Sequence, residues 1–377
     1  MKQSWEIKKL GEVFDLQMGK TPSRDNSDYW GGSNVWVAIS DLQDKYIGDS
    51  KEYITDQALT ETKIKKVKAG TTIMSFKLSV GRAAITTKDL YTNEAIMAFN
   101  LNEGYNLIAD YIYYYLKGYK WQGANKAVMG LTLNKASISQ NHIAIPPIEM
   151  QEKIVAELDC LSGVIEKKRE QLRELDALAE SIFYTMFGDP ITNEKGWSVN
   201  TIGNLAEFYN GVAHEGNISE NGQYDVVNSK FISTQGCVRK RCDLQMFPLL
   251  KNDIVMVMSD VPNGKALAKC YLIEADNKYT LNQRICAFRN YNNFNPIFLY
   301  YYLNRHPYYL RFDDGNGQTN LRKNDVLNCP VYIPPTHIQQ EFADKIEAIE
   351  KQKELIKQSI TETETLFNAR MDYYFNR

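Results

Sequence analysis

The chain has 377 residues, 44% of them hydrophobic and 24% charged, with a formal net charge of −2. That length exceeds one ordinary core and suggests two or three globular domains. No apolar run is long enough to span a membrane, and residues 1–11 carry charge without an apolar signal core, so a cytoplasmic protein is expected.

Six cysteines (Cys160, Cys237, Cys242, Cys270, Cys286, Cys329) include no Cys-x-x-Cys pair, and the four histidines His142, His214, His306 and His337 are scattered. Free buried thiols are expected, and a zinc site has little to build from. The charge is uneven along the chain. Residues 1–147 hold 18 basic against 15 acidic side chains, a net of +3, and residues 148–188 hold 5 against 9, a net of −4. Residues 189–335 (15 against 14) are at +1 and residues 336–377 (6 against 8) at −2. Mildly basic segments alternate with acidic ones, which is compatible with nucleic acid but does not establish it.

Taken in chain order, residues 1–147 carry β-branched and aromatic runs at 35–39 and 71–74, separated by Gly, Asn and Asp clusters. Short strands joined by loops are predicted. Residues 110–120 read as a helix with Tyr111, Tyr115 and Tyr119 on one face, a stripe that suits a core better than a base-stacking platform. Ile145-Pro146-Pro147 then opens a stretch, 148–188, with no proline and apolar residues at alternating spacings of four and three. These are Ile154, Leu158, Leu161, Ile165, Leu172, Leu175, Ala179, Ile182 and Met186, broken at Lys168. A helix approaching about 60 Å with a coiled-coil seam is predicted. Gly188-Asp189-Pro190 stops it.

Residues 189–335 repeat the pattern. Strands are predicted at 254–258 and a helix at 297–304. Ile333-Pro334-Pro335 opens a second long helix over 336–377 with Phe342, Ile346, Ile349, Ile356, Ile360, Thr363 and Phe367 on its seam, broken at Lys353. The likeness extends to detail. Trp5 returns as Trp197, Gly81-Arg82-Ala83 as Gly264-Lys265-Ala266, Tyr113-Tyr114-Tyr115-Leu116 as Tyr300-Tyr301-Tyr302-Leu303, and Gln151 as Gln339. An ordered series of this length marks a duplication. The architecture read from it is α+β: domain 1 at 1–147, a helix at 148–188, domain 2 at 189–335 and a helix at 336–377. The two helices are expected to pair as an antiparallel coiled coil with the domains at opposite ends. The alternative is that both helices are plain linkers.

Catalytic motifs are missing. Gly19-Lys20-Thr21 lacks the earlier glycine of a phosphate loop and is followed by Pro22. There is no Asn-Pro-Pro-Tyr/Phe motif of amino-methylating enzymes, no histidine has a consistent acid or nucleophile neighbour, and Asp189 with Glu194-Lys195 lacks the spacing of a nuclease site. Two corresponding loops can meet DNA. One runs from Trp121 through Asn125 and Lys126 to Asn134 and Lys135; the other runs from Gly315 through Gln318 and Asn320 to Arg322 and Lys323. Asn and Gln suit adenine; Arg and Lys suit guanine or phosphate. A second pair of candidates is Lys77 with Arg82 and Asn263 with Lys265, each beside a glycine. Ordinary polar turns remain the competing reading of all four places.

Taken together, these residues resemble the specificity subunits of Type I restriction–modification systems. The likeness rests on Gly19-Lys20-Thr21-Pro22-Ser23, Ile145-Pro146-Pro147 with Gln151, Met186-Phe187-Gly188-Asp189-Pro190, and Gly317-Gln318-Thr319 before the second Ile-Pro-Pro. It departs at Asn210-Gly211-Val212-Ala213, where no Thr-Pro follows, which puts that loop's shape in question. The resemblance implies two target-recognition domains reading a split double-stranded DNA target, and no catalysis in this chain. It implies modification subunits that bind S-adenosylmethionine and methylate adenine, and restriction subunits that use ATP and Mg to translocate and cleave. Two other readings stand beside it: a two-headed helical scaffold that binds proteins, and an autonomous DNA-binding regulator.

Overall fold

The computed structural model describes residues 5–121, 125–127, 130–291 and 294–375. The chain divides into two compact units, residues 1–169 with 358–377, and residues 170–357. The long helices run unbroken over Ile148–Phe187 and Thr336–Phe375, so each unit holds part of both.

In the first unit a five-stranded sheet has the order Phe14–Met18, Ile96–Leu101, Thr72–Ser75, Ala83–Thr86, Tyr46–Ile47. Its strands alternate faces, as the two-residue period of a strand requires. Met74, Ile85, Met97 and Phe99 join one buried cluster, and Ile73, Ala84, Ile96 and Ala98 join another. The first cluster takes in the helix Ala109–Gly118, Ile154 and Leu158 of the central helix, and Met371 and Phe375 of the C-terminal helix. The tyrosine stripe is core. Tyr111 and Tyr115 are buried, and their hydroxyls donate to the carbonyls of Ala144 and His142.

The second unit repeats this plan. Its four-stranded sheet has the order Glu207–Asn210, Ile285–Arg289, Ile254–Val257, Cys270–Leu272. Tyr302 is buried from the helix Pro296–Leu303 and donates to the Pro330 carbonyl, as its counterpart Tyr115 does to His142. Phe183 and Phe187, which lie beside the expected seam, pack on Phe298 and Phe342.

Within each unit the two helix segments touch. In the first, Glu157 bonds Arg370 and Tyr374, and Lys168 reaches Ser359 and Thr363. In the second, Lys353 pairs with Asp176 at 2.7 Å. Both lysines that interrupt the apolar seam therefore have polar partners on the other helix. Lys45 adds a further tie in the first unit. Burial opposes its charge, but hydrogen bonds to Asp110 and Asp159 override burial and its pKa is raised.

The Ile-Pro-Pro motif has a physical reason in both copies. Gln151 is fully buried at the start of the central helix. Its Nε2 donates to the carbonyls of Pro146 (2.8 Å) and Asn106 (2.9 Å), and its Oε1 accepts from the Ile108 amide (3.0 Å). Gln339 donates to Pro334 (2.8 Å) and accepts from Asn295 (2.9 Å). One carboxamide thus satisfies the backbone groups where the chain leaves the domain for the helix.

All six cysteines are free. Cys242, Cys270, Cys286 and Cys329 are buried, but Cys160 and Cys237 are exposed, contrary to the expectation of buried thiols throughout. Cys160 falls on a solvent-facing turn of the central helix and Cys237 on a surface turn. His214 and His306 are buried, while His142 and His337 are exposed. His214 is held by Val212 O and Thr280 Oγ1. Among the described residues no His, Cys, Asp and Glu group could hold a metal ion, and no helix is long and apolar enough to cross a membrane.

Two predictions follow from this packing. Gln151→Ala strands three backbone groups without a partner, and stability should fall by roughly 2–4 kcal/mol in urea denaturation; an unchanged midpoint contradicts the role assigned to the carboxamide. The second concerns pH. Burial lowers the His306 pKa from 6.5 to about 4. The unfolded chain gains a proton below pH 6.5 that the folded chain refuses until about 4, so stability is lost as pH falls through that window. Between pH 7 and pH 5 this group alone should remove about 2 kcal/mol. His306→Gln should flatten the pH slope by that amount, and an identical slope in the variant contradicts it.

Candidate nucleic-acid interface

In the first unit the site grows from Phe76, which is buried at the end of a core strand. Its amide donates to the Ala95 carbonyl and its carbonyl accepts from the Leu133 amide, both at 2.9 Å. The chain then leaves the core as the strand Lys77–Leu78, which pairs with Gly130–Thr132, which in turn pairs with Asn125–Ala127. Lys77 and Asn125 flank Thr132 from either side, and Lys126 and Leu78 flank Leu131. Two stretches chosen separately from the sequence therefore meet in one small sheet. A tight turn returns the chain from Leu78 (φ +64°) to Gly81 (φ +91°), and Arg82 beyond it is exposed. Gln122, Gly123 and Ala124 lie outside the described residues, as do the side chains of Asn125 and Lys126.

Asn134 has a structural task. Its side chain accepts from the Ser137 amide and caps the helix Lys135–Gln140. Lys135 follows at the first helical position and is exposed.

The second unit builds the same frame on Met258, whose amide donates to Arg284 O (3.0 Å) and whose carbonyl accepts from Leu321 N (2.8 Å). The chain continues as the strand Ser259–Asp260, paired with Thr319–Asn320. Ser259 Oγ donates to Asn320 Oδ1 (2.7 Å) and accepts from Gln318 Nε2 (2.8 Å), so one hydroxyl fixes both amides. The Asp260 carboxylate accepts from the amides of Ala266 (2.6 Å) and Leu267 (3.0 Å) and closes the intervening loop. Gly264 packs against that carboxylate so closely that a Cβ would collide with it. Asn263 (φ +53°) and Lys265 are exposed on this loop, and a Cβ at Gly315 would lie 3.2 Å from Asn263 Nδ2. The two loops chosen in this unit are therefore neighbours too.

An open cavity of about 570 Å³ lies here, lined by Asp314, Asn316, Gln318, Asn320, Arg322 and Asp325 among others. Arg322 and Lys323 are exposed where the helix Lys323–Leu327 begins; the Arg322 amide donates to Asp325. The surface offers amide donors and acceptors beside cations, the groups that read base edges and hold phosphates.

Two basic runs escaped the sequence reading although both are visible as runs. Lys63, Lys65, Lys66 and Lys68 are exposed around the buried anchors Ile64 and Val67, with Asp89 bonding Lys68 and lying 3.8 Å from Lys66. Arg239-Lys240-Arg241 is exposed, with Arg239 and Arg241 on either side of the buried Asp225.

The sequence profile of the Type I restriction modification DNA specificity domain matches residues 2–176 and 194–365, and the chain belongs to that family. It is 24% identical to the Type I restriction enzyme MjaIX specificity subunit of Methanocaldococcus jannaschii over 92% of this chain and 87% of that protein. It is 25% identical to the HindI specificity subunit of Haemophilus influenzae over 46% of this chain and 40% of that one. Among solved structures, one of a type I R-M system, described for its complex assembly and conformational transition, covers 98% of this chain and 96% of its own at TM-score 0.60 and 16% identity. The S subunit from M. genitalium covers 99% of this chain and 96% of its own at TM-score 0.53 and 14% identity. The shared fold is thus two repeated recognition domains of mixed α/β structure.

If Ser259 holds the amide pair, Ser259→Ala should leave the fold intact and free Gln318 and Asn320. Sequence discrimination in DNA competition binding should then drop while affinity for unrelated DNA stays the same. Undiminished discrimination would show that the hydroxyl does not organise the site.

Proposed function

We propose that this chain is the sequence-reading subunit of a Type I restriction–modification complex, in which each unit reads one half of a two-part double-stranded DNA target. The observation that carries this reading is the match of the DNA specificity domain to both halves of the chain. The two polar loop clusters, built on the same backbone frame, lend it support. The chain performs no catalysis. Modification subunits bind S-adenosylmethionine and methylate adenine, with the target base flipped out of the duplex. Restriction subunits supply ATP- and Mg-dependent translocation and cleavage, and the complex works in the cytoplasm. The long helices pair as an antiparallel coiled coil, a reading supported by their seams and by the partners of Lys168 and Lys353. The DNA contacts proposed are Lys77, Arg82, Asn125, Lys126, Asn134 and Lys135 in the first unit, and Asn263, Lys265, Gln318, Asn320, Arg322 and Lys323 in the second.

The test is reconstitution. The purified chain should transfer no methyl group from S-adenosylmethionine, and addition of its modification subunits should give methylation at one two-part target. Methyl transfer by the chain alone, or a complex that methylates DNA without sequence preference, overturns the proposal.

The basic residues give a second test. Lys323→Ala should weaken binding to all sequences and lower the salt dependence by about one phosphate contact. Arg322→Ala should cost about 1–3 kcal/mol and relax preference in one half-site if it reads a guanine. Unchanged affinity in both variants removes them from the interface.

A further inference from the structure

Arg284 belongs to neither polar loop of the second unit, yet the backbone brings it to the same place. Its carbonyl accepts from the Met258 amide, and the Met258 carbonyl accepts from Leu321. Residue 259, next to Met258, is the serine that fixes Gln318 and Asn320. Arg284 therefore stands about one strand spacing, ~4.8 Å, from the segment that ends on Ser259, the residue that fixes the amide pair.

The turn holding Arg284 is pinned on every side. The Asn282 amide donates to Val227 O (3.2 Å), the Gln283 amide donates to Val212 O (2.9 Å), and Gly211 packs so tightly on Asn282 that any Cβ would collide with its carbonyl. Arg284 itself has φ +65°, the left-handed region that favours glycine or asparagine. A long side chain held there is strained, and such strain collects at functional sites. The side chain is exposed, and among the described residues no hydrogen bond, ion pair or ring contact engages its guanidinium.

The first unit supplies the control. The same hydrogen bonds recur there: Phe76 N to Ala95 O, Leu133 N to Phe76 O, and Asn93 N to Val37 O. The residue at the place of Arg284 is Ala95, which is buried. One frame carries an exposed guanidinium in one unit and a buried methyl group in the other.

We propose that Arg284 is a specificity-determining residue of the second unit, donating its paired N–H groups to a guanine edge beside the bases met by Gln318 and Asn320. A guanidinium offers a planar fork that matches the guanine O6 and N7 acceptors. The proposal rests on the DNA-reading function above, and the test separates the two.

The full chain is assembled with its modification subunits as wild type, Arg284→Gly and Arg284→Lys. Each complex is assayed for methylation of the mapped target and of targets substituted at one base. Arg284→Gly should lower discrimination roughly five- to hundred-fold at one position of one half-site and leave the other half-site unchanged. Its melting temperature should be equal or higher, because glycine adopts φ +65° without strain. Arg284→Lys keeps the charge but loses the fork, and should show the same relaxed preference with unchanged salt dependence. Intact discrimination in Arg284→Gly overturns the proposal. So does uniform weakening on all sequences with a reduced salt slope, which marks a phosphate contact, and so does a lowered melting temperature with specificity retained, which marks a structural residue. A wild-type complex with no sequence preference overturns the DNA-reading function itself.

Discussion

At the foot of each long helix a buried carboxamide joins domain to helix, and the rest of each unit depends on that junction. A chain leaving a β-rich domain through Pro-Pro loses amide donors and exposes carbonyls inside an apolar core. Gln151 and Gln339 close this gap with one side chain, donating to the Pro-Pro segment and accepting from the turn before or at the start of the tyrosine-bearing helix. The globular sheet, the tyrosine helix and the first turns of the long helix become one packed body in each unit. The apolar seam turns one helix face inward, and the amide ties the start of the helix to the domain.

From that junction outward, the two units share backbone and differ in side chains. Gly19 and Gly211 each lie against the turn that follows a paired strand, at Thr92-Asn93 and Asn282, with no room for a Cβ. The missing Thr-Pro after Gly211 therefore does not alter the close approach that the glycine serves. Phe76 and Met258 then hand the chain to the polar sheet by the same pair of hydrogen bonds. Beyond this point the likeness stops. One unit shows Lys77, Thr132 and Asn125 in a three-stranded sheet, and the other shows Gln318 and Asn320 locked by Ser259. A fixed frame with variable polar tips can present different hydrogen-bonding groups without a change of fold, because apolar packing sets stability while exposed groups are free to vary.

Much of this was legible in the sequence for physical reasons. The duplication, the long helices and the tyrosine helices leave periodic apolar signals, and these survive folding because burial enforces them. The pairing of Lys77 with the Asn125 hairpin was not legible, since register between strands some fifty residues apart leaves no local mark. Nor was the strained turn at Arg284, because nothing in Asn282-Gln283-Arg284 announces a left-handed arginine. The helix-capping bond of Asn134 was not legible either, since the same side chain suits a base edge and an N-cap alike. Lys168 and Lys353 looked like breaks in a seam, and each finds a polar partner on the other helix.

The central claim is that one frame, built twice, addresses two unlike half-sites. Mapping methylated adenines across the host genome with and without this chain tests it most directly. The account predicts a two-part motif whose halves differ in sequence, separated by unread bases, and the loss of that methylation when the chain is removed. A methylation pattern that survives removal of the chain, or a lost motif that is one continuous sequence, would contradict it.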